Sequence, residues 1–494
     1  MPKALTGQDR ESEGLIVPFE AAGQHNLRPR EGALLCSCNQ SVEDGEIAVL
    51  LTTPDKIRTL QRTLYLKAKQ EPAFRFYALY DKVCRADFLG HAYDLVKANK
   101  GAPGCDGVTF EAIEAAAGGK AALVDELRKQ LMERTYRASP VRRVWIPKAN
   151  GDKRPLGIPT IRDRVVQMAA KLVIEPIFEA DFCETSHGFR PKRSAHDAID
   201  AIADALVTGH VQVIDADLSK YFDTIPHDKL MATVATRIVD GAVLALIKQW
   251  LVAPVVEEDE DGTRRMTGGK GNREGTPQGG VISPLLSNIY LHLLDRIWLR
   301  RDLARQLQAK IVRYADDFVV LCRRDTDRPM AVIRHVLDRL GLTLNETKTK
   351  VVDARVAGFD FLGFTIRQRI SRKSGKRYPH IEPSKRSIQR IKDRVTALTV
   401  RERTPIPLEV VVAEVNRTVR GWTGYFHKRN CSKAMAQVRW HVEERLRTHL
   451  RKRHKIRCRG TGYARFPVAK LYAVHRLFKV PTTAGWSRPA HALR

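Results

Sequence analysis

The segment "IVRYADDFVVLC" (residues 311–322) places two adjacent carboxylates, Asp316 and Asp317, between two runs rich in apolar, β-branched residues. Runs of this kind favour extended strands, so the segment predicts a β-hairpin with both carboxylates at a tight turn. Adjacent carboxylates repel each other, and a buried charge without a partner is costly. The pair must therefore lie in water, as many exposed Asp-Asp turns do, or converge on a cation.

A second acidic segment, "DADLSKYFD" (residues 215–223), begins in a run of alternating apolar residues that predicts a strand, with Asp215 and Asp217 on one face. Carboxylates from two neighbouring strands suit Mg²⁺, a hard cation that prefers oxygen ligands, and two such ions can clamp a phosphoryl transfer. Capping of the strand end is the alternative role for Asp215, Asp217 and Asp223. The spacing does not choose between the two roles.

The net charge of +29 is concentrated near one end of the chain. Residues 366–494 hold 33 Lys and Arg against 7 Asp and Glu, whereas the preceding residues hold 52 against 49. A basic surface that serves only solubility has acids interspersed among its cations. The imbalance therefore predicts a polyanionic partner, nucleic acid, for the C-terminal quarter.

No apolar run approaches the roughly 18 residues of a membrane span, and the polar N-terminus lacks the apolar core of a signal peptide. The eight cysteines show no pairs at zinc-ligand spacing, so we expect a reducing compartment and no structural zinc. These features predict a cytoplasmic protein that has no membrane partner, and the cationic C-terminal quarter predicts that it associates with nucleic acid there, in a ribonucleoprotein or the nucleoid.

Periodicity divides the chain into four segments. Residues 1–54 lack convincing periodicity and form an N-terminal extension compatible with disorder. Residues 55–366 alternate helical and extended patterns, and residues 367–455 carry amphipathic helical stripes. Residues 456–494 form a short basic segment.

Six motifs occur along the chain in an order that matches a known protein family. "HGFRPKRSAHDAI", "DLSKYFD", "GTPQGGVISPLLSNIYL", "YADD", "LNETKTK" and "GFDFLGF" follow one another as in reverse transcriptases, and together they resemble the proteins encoded by group II introns. The resemblance implies an α+β right-hand polymerase, with fingers and an antiparallel palm sheet in residues 55–366. An all-α thumb/maturase region would follow in residues 367–455, and a nucleic-acid-binding segment in 456–494.

Carried over by motif, the resemblance makes Asp217, Asp316 and Asp317 the catalytic triad that holds two Mg²⁺ ions. The Leu218 carbonyl would be an additional metal ligand. Lys348 resembles the lysine that protonates the departing pyrophosphate; without the match it would be an ordinary surface lysine.

The resemblance also implies a site for deoxynucleoside triphosphates. Lys148 and Arg154 match fingers residues that grip the triphosphate, and an Arg fork suits phosphate geometry. Gln278 matches the residue that lies along the nucleotide and template. Phe222 matches the aromatic that crowds the 2′ position and so favours deoxynucleotides, although a core Phe is an equal alternative.

Nucleic-acid contacts are implied in two further places. Phe361, Leu362 and Gly363 resemble the primer grip. In the basic region, the cations expected to contact nucleic acid are Arg420, Lys428, Arg429, Arg451, Lys452, Arg453 and Lys455. The aromatics Trp422, Tyr425 and Phe426 would either stack on bases or pack between thumb helices.

The resemblance predicts an RNA-directed DNA polymerase that binds its group II intron RNA and assists splicing and intron mobility. Its partners would be that intron RNA, an RNA template with a DNA primer or target, and dNTPs. Two alternatives remain: a non-enzymatic splicing factor with a vestigial polymerase, and a domesticated reverse transcriptase in host defence. The paired cysteines of an HNH endonuclease are missing, so we expect no second-strand cleavage by this polypeptide. No oligomeric state is predicted.

Overall fold

A computed structural model of the chain describes residues 52–147, 153–258 and 263–486. The helices are α1 (Asp55–Gln70), α2 (Tyr80–Val83), α3 (Ala86–Ala98), α4 (Phe110–Ala115), α5 (Gly119–Met132), α6 (Ile161–Glu179), α7 (Ala195–Val207), α8 (Tyr221–Thr224), α9 (His227–Ala235), α10 (Gly241–Leu251), α11 (Ser283–Arg300), α12 (Leu303–Gln306), α13 (Asp327–Leu340), α14 (Lys385–Leu398), α15 (Leu408–Phe426), α16 (Ser432–Arg453), α17 (Arg459–Arg465) and α18 (Val468–Ala473). The strands are β1 (Val141–Pro147), β2 (Lys153–Ile158), β3 (Gln212–Ala216), β4 (Val255–Glu258), β5 (Arg264–Thr267), β6 (Ala309–Tyr314), β7 (Asp317–Cys322), β8 (Lys350–Asp353), β9 (Phe359–Phe361), β10 (Phe364–Ile370) and β11 (Arg377–Pro383). The predicted N-terminal extension, residues 1–54, lies almost entirely outside the described residues.

Helix α6 is the centre of the largest hydrophobic core. The Thr160 side chain caps the helix by accepting a hydrogen bond from the Asp163 nitrogen. The helix is buried on nearly all sides, and α1, α3 and α5 pack around it. The same core includes apolar side chains from the palm strands β3, β6 and β7.

The fingers sheet has the strand order β2-β1-β4-β5. Strands β1 and β2 pair antiparallel as a hairpin, with Ile146 opposite Arg154. The turn between these strands, including Lys148, lies outside the described residues. Strand β4 joins β1 in parallel and extends the sheet.

The palm sheet has the order β6-β7-β3-β8, and each neighbouring pair is antiparallel. Asp215 on β3 lies opposite Val319 on β7 and opposite Lys350 on β8. The antiparallel palm sheet predicted from the resemblance is therefore present, and its register determines which side chains meet at its ends.

The region after residue 366 departs from the all-helical prediction. Strands β9, β10 and β11 form a third antiparallel sheet that runs through the predicted boundary to Pro383. The first thumb helix, α14, begins only at Lys385, where the Ser384 side chain caps it. The apolar alternation of β10 and β11 is short and interrupted by many charges, so the periodicity did not reveal these strands.

Helices α14, α15 and α16 form the predicted bundle. Their apolar stripes make one core, and α14 packs on both α15 and α16. The chain beyond residue 455 also belongs to this core, because Phe466, Leu471, Leu477 and Val480 are buried in it. The predicted basic tail is thus a packed part of the thumb as far as residue 486. Among the described helices, none has the length and apolar character required to cross a membrane.

Candidate active site

One end of the palm sheet gathers the predicted catalytic residues. The β3–β7 register ends with Ala216 opposite Phe318, so Asp217 and Asp317 are the next facing positions. The β3–β8 register continues in the same way from Asp215 and Lys350 toward Asp217 and Lys348. The Lys348 Nζ atom lies 2.8 Å from Asp217 Oδ2.

The turn between β6 and β7 consists of two residues, Ala315 and Asp316, because Tyr314 lies opposite Asp317. Ala315 has a φ of 58°, which is uncommon for a residue with a Cβ. The predicted hairpin is therefore present, with Asp316 in the turn and Asp317 at the start of β7. Both carboxylates interact electrostatically with Asp217, the residue that follows β3.

A buried arginine, Arg313, supports the turn between β6 and β7 through hydrogen bonds. The Arg313 side chain is fully buried and binds the Asp295 carboxylate, with Nε 3.1 Å from each oxygen and the nearest terminal nitrogen 2.5 Å from Oδ2. Its other terminal nitrogen donates to Asn288 Oδ1 at 3.0 Å and to the Ala315 carbonyl at 2.9 Å. The planar fork of arginine suits this set of acceptors.

The "HGF" segment, residues 187–189, packs against the same turn. The His187 nitrogen donates to the Arg313 carbonyl at 2.8 Å, and the Asn288 side chain donates to the Gly188 carbonyl at 2.7 Å. A Cβ added at Gly188 would lie 2.2 Å from the Ala315 nitrogen, so only glycine allows this approach.

Sequence reasoning assigned no role to Arg313, Asp295, Asn288 or Gly188. Two of them stood within motifs already recognised, Gly188 in "HGFRPKRSAHDAI" and Asn288 in "GTPQGGVISPLLSNIYL". The only further signal was the position of Arg313, three residues before the Asp pair and directly after two β-branched apolar residues.

The site carries an excess of negative charge. Burial raises the pKa of Asp316 above its ordinary value. Burial, together with Asp316, Asp217 and Asp215, raises the pKa of Asp317 to about 6, against the opposing effect of Lys348. Burial also raises the pKa of Asp215 to about 6. A cation bound here would relieve this repulsion.

The candidate donor atoms are carboxylate and carbonyl oxygens, the ligands that a hard divalent cation prefers. Asp217 Oδ2 is buried without a hydrogen-bond partner, although the Lys348 ammonium group lies nearby. The bridge between Leu218 and Leu344 uses the nitrogens of Ser219 and Asn345 and leaves the Leu218 carbonyl out of its hydrogen bonds. Across the described ranges, no three His, Cys, Asp or Glu side chains converge closely enough to make a ready metal site.

The predicted nucleotide residues lie on the fingers side. Arg154 is exposed on β2, and its charge works to lower the pKa of Asp316, although burial of that carboxyl outweighs it. The Gln278 carbonyl accepts a hydrogen bond from the Gly157 nitrogen at 2.6 Å, which fixes the "PQGG" loop on β2. Gln278 and Asp223 line a cavity of about 320 Å³ between this loop and the fingers sheet.

Phe222 combines features of both predicted roles. Its side chain is half-buried against the main core, and its ring lies edge-on to Tyr221 with centroids 5.5 Å apart. Its carbonyl accepts a hydrogen bond from the Thr276 nitrogen at 2.7 Å. The ring is therefore held in place close to the loop that carries Gln278.

The predicted primer grip is a second two-residue turn. Leu362 and Gly363 have φ values of 49° and 81°, and they join Phe361 to Phe364. The Leu362 carbonyl accepts from the Tyr425 hydroxyl at 3.0 Å. The Gly363 carbonyl accepts 2.9 Å hydrogen bonds from the backbone of Ser384 and the side chain of Ser387, so the thumb holds this turn.

The aromatics Trp422, Tyr425 and Phe426 pack beside that turn. Phe426 lies 5.0 Å from Trp422 and 4.7 Å from Tyr425 between ring centroids, and Phe364 contacts both Tyr425 and Phe426. The structure thus favours the alternative of packing at the thumb over stacking on bases.

The predicted roles of Lys428 and Arg429 need correction. Lys428 Nζ lies 2.7 Å from Asp200 Oδ2, and an Arg429 terminal nitrogen lies 2.6 Å from Asp200 Oδ1. Their side chains are only 12% and 18% exposed. Because Asp200 is on α7, these two cations join the thumb to the palm and do not form an open phosphate-binding surface.

The other cations predicted to contact nucleic acid fall into two groups: some form hydrogen bonds within the thumb, and the others are exposed. Arg453 donates to the carbonyls of Thr404 and Ile406, and Arg451 donates to the carbonyl of Arg457, so these two also stabilise the bundle. The exposed members of the predicted set are Arg420, Lys452 and Lys455, with Arg420 lying over the Phe478 ring.

Comparison with known proteins matches this architecture. A family model described as "Reverse transcriptase (RNA-dependent DNA polymerase)" matches residues 146–366, and one described as "Group II intron, maturase-specific domain" matches residues 388–464. Protein YkfC of Escherichia coli strain K12 is 36% identical over 353 residues, which cover 64% of this chain and 90% of that protein.

Two matches come from introns. Group II intron-encoded protein LtrA of Lactococcus lactis is 34% identical over 278 residues, 56% of this chain and 43% of LtrA. An uncharacterized 91 kDa protein in the cob intron of Schizosaccharomyces pombe is 29% identical over 374 residues, 62% of this chain and 45% of that protein. The chain thus spans less than half the length of these two relatives.

The palm sheet, the carboxylates at its end and the matched domain define a right-hand polymerase of the RNA-directed DNA polymerase class. Enzymes with this domain generally use divalent metal ions. The maturase-specific domain adds RNA as a partner. The chain belongs to the family of group II intron-encoded reverse transcriptase/maturase proteins.

Proposed function

We propose that this protein copies RNA into DNA at the Asp217, Asp316 and Asp317 carboxylates, and that it binds a group II intron RNA to assist its splicing and mobility. The observation that carries the proposal is the palm register, which places Asp217 and Asp317 at facing positions with Asp316 in the adjoining turn. We further propose a cytoplasmic location, in a ribonucleoprotein with that RNA.

Asp217, Asp316 and Asp317 would hold two Mg²⁺ ions, with the Leu218 carbonyl as an additional oxygen donor. Bound ions would activate the primer 3′-hydroxyl and neutralise the triphosphate of the incoming nucleotide. The raised pKa values of Asp316 and Asp317 support this assignment, since burial removes both carboxyls from water and, at Asp317, the neighbouring carboxylates add repulsion that a bound cation would relieve.

The surrounding side chains act on the nucleotide. Arg154, exposed on β2 and close enough to influence Asp316, would bind the triphosphate. Lys348, whose ammonium group lies 2.8 Å from Asp217 Oδ2, would give a proton to the departing pyrophosphate. Phe222, held by the core and by Tyr221, would exclude a 2′-hydroxyl and so select dNTPs.

Primer extension tests the polymerase. The full chain, an RNA template with an annealed DNA primer, and Mg²⁺ are incubated with dNTPs or with NTPs. We expect extension with dNTPs only, and a loss of at least about 10²-fold in the Asp316→Asn variant because one ligand charge is removed. RNA affinity of that variant, measured by filter binding, should be unchanged.

A second result would point elsewhere. If the folded chain bound intron RNA and accelerated splicing but extended no primer, the protein would be a non-enzymatic splicing factor. Extension without any effect on splicing would favour the cellular role in host defence. Equal use of NTPs and dNTPs would contradict the role of Phe222.

A further inference from the structure

The hairpin of β10 and β11 carries a strongly basic tip that no assigned role explains. Its nine residues, 369–377, include five cations and no acid; the cations are Arg369, Arg372, Lys373, Lys376 and Arg377. All five side chains are exposed. We call residues 369–377 the basic arm. It lies between the two matched domains, which end at residue 366 and begin at residue 388.

The arm differs from the base of the same hairpin. At the base, Arg367 lies 3.1 Å from Glu382 in an ion pair. The five cations of the arm have no ion pair or side-chain hydrogen bond with any residue in the described part of the chain, unlike Lys428, Arg429 and Arg453. Mutual repulsion therefore disfavours this cluster unless a polyanion binds it.

The arm has a defined backbone. The Ser371 nitrogen donates to the Lys376 carbonyl at 2.9 Å, and the Gly375 nitrogen donates to the Ser371 carbonyl at 2.8 Å. Gly375 has a φ of 66° with open space around its Cβ position, as a tight exposed loop requires. A closed loop presents its cations together at a lower entropic cost than a disordered tail would.

The arm projects from the end of the palm opposite the carboxylates. The Gln368 nitrogen, just before the arm, donates to the Ala354 carbonyl, and the Ala354 nitrogen donates to the Val211 carbonyl. Val211 precedes β3, whereas Asp217 follows it, so six residue steps along an extended strand, roughly 20 Å, separate the two ends. The arm therefore lies apart from the carboxylates at the catalytic end.

We propose that the basic arm binds the phosphate backbone of the folded intron RNA, outside the polymerase site; this inference rests on the proposed function of the chain. The arm anchors the ribonucleoprotein while the carboxylate end stays free for the primer. Lysine and arginine contacts to phosphate supply affinity and salt dependence without reading sequence.

The test compares the full native chain with an Arg372→Gln/Lys373→Gln/Lys376→Gln variant. The probe is a folded group II intron RNA, and its Kd is measured across a series of salt concentrations. We expect the Kd to rise at least tenfold, and the slope of log K against log salt to become shallower by about 2 to 3, because three phosphate contacts are lost. Extension of a short RNA-templated primer should be unchanged.

The matched control removes the same charge from another exposed surface. Arg300, Arg301 and Arg305, at the end of α11 and in α12, are exposed and are changed together to Gln. This control should raise the Kd less than about threefold. Equal weakening by both triple variants would overturn the arm as a site and indicate a general effect of charge, as would an unchanged Kd in the arm variant.

Two further measurements distinguish RNA binding by the basic arm from a role of the arm in the polymerase site. A lysine-only arm, Arg369→Lys/Arg372→Lys/Arg377→Lys, should bind RNA as the native chain does, because lysine and arginine neutralise backbone phosphates with the same charge. If the Gln variant lost primer extension in proportion to RNA affinity, the arm would belong to the polymerase channel and the proposal would be wrong. Failure of the native chain to extend a primer would refute the polymerase, while the Kd comparison would still judge the arm.

Discussion

Two two-residue turns of this protein, Ala315-Asp316 and Leu362-Gly363, have the same length and different supports. Both join antiparallel strands, and both contain residues with positive φ. The first is held from within the palm, by Arg313 on its own strand. The second gives both of its carbonyls to the thumb, through Tyr425, Ser384 and Ser387.

The difference shows how two turns of the same length serve two purposes. The backbone of the palm turn is fixed by Arg313, which is buried inside the palm. The Asp316 and Asp317 side chains therefore remain available for ligands. The thumb turn uses its backbone as the attachment point of another domain. We expect damage to the first turn to affect chemistry, and damage to the second to affect the docking of the thumb.

The largest effect should come from Arg313→Met. Removing one partner of a fully buried ion pair leaves Asp295 charged and unpaired, which should lower the free energy of unfolding by about 3–5 kcal/mol. The Ala315 carbonyl also loses its donor. Chemical denaturation measures the stability, and primer extension at saturating primer measures kcat.

The double variant Arg313→Met/Asp295→Leu separates stability from positioning. Replacing both charges by apolar side chains should restore most of the stability, because no buried charge remains unpaired. The turn would still lack its support, so kcat should stay at least about tenfold low. Full recovery of kcat together with stability would show that Arg313 has no positioning role.

Gly188→Ala should have the next largest effect. The new Cβ would meet the Ala315 nitrogen at 2.2 Å, and backbone atoms cannot rotate away, so the turn must shift. A displacement of about 1 Å at reacting groups can cost about 10²-fold in rate. We expect that loss in kcat with little change in the KM for dNTP. Gly241→Ala, where the Cβ position has open space, is the matched control and should keep native activity.

Much of the difference between the two turns could not be predicted from the sequence. The hairpin around Asp316 and Asp317 was predictable, because β-branched runs on both sides of a short polar turn specify one. The catalytic triad came from the family motifs, and the palm register then placed it at one sheet end. What holds the turn was not predictable, since Arg313 contacts Asp295 and Asn288 on α11, a helix that precedes its strand.

The thumb shows a second limit. Composition identified a cationic region, and apolar stripes identified α14, α15 and α16. Neither could show which cations pair inside the fold, because Asp200, the partner of Lys428 and Arg429, is far away in the chain. The strands β10 and β11 were missed for a related reason, since each is stabilised by its partner strand more than by its own apolar pattern.

Gly363→Ala should have a moderate effect that is confined to the thumb. Its φ of 81° disfavours alanine, and the added Cβ would lie 3.1 Å from both the Phe426 ring and Ser387 Oγ. We expect a loss of about 1–3 kcal/mol in stability and faster release of primer. Gly375→Ala shares the positive φ but has open space, so it isolates the backbone cost. Equal losses in the two variants would mean that the contact with the thumb contributes nothing.

Tyr425→Phe should have the smallest effect, since it removes one hydroxyl and keeps the ring packed on Phe364 and Phe426. The Leu362 carbonyl loses a donor, which should cost about 0.5–1.5 kcal/mol. Burial raises the pKa of Tyr425 to about 12, so the hydroxyl stays protonated and keeps donating between about pH 6 and pH 9. Denaturation at both pH values should therefore show the same difference from the native chain. A difference that vanished at pH 9 would mean that the hydroxyl ionises near neutrality, and the turn would then be held by packing and by the two serines.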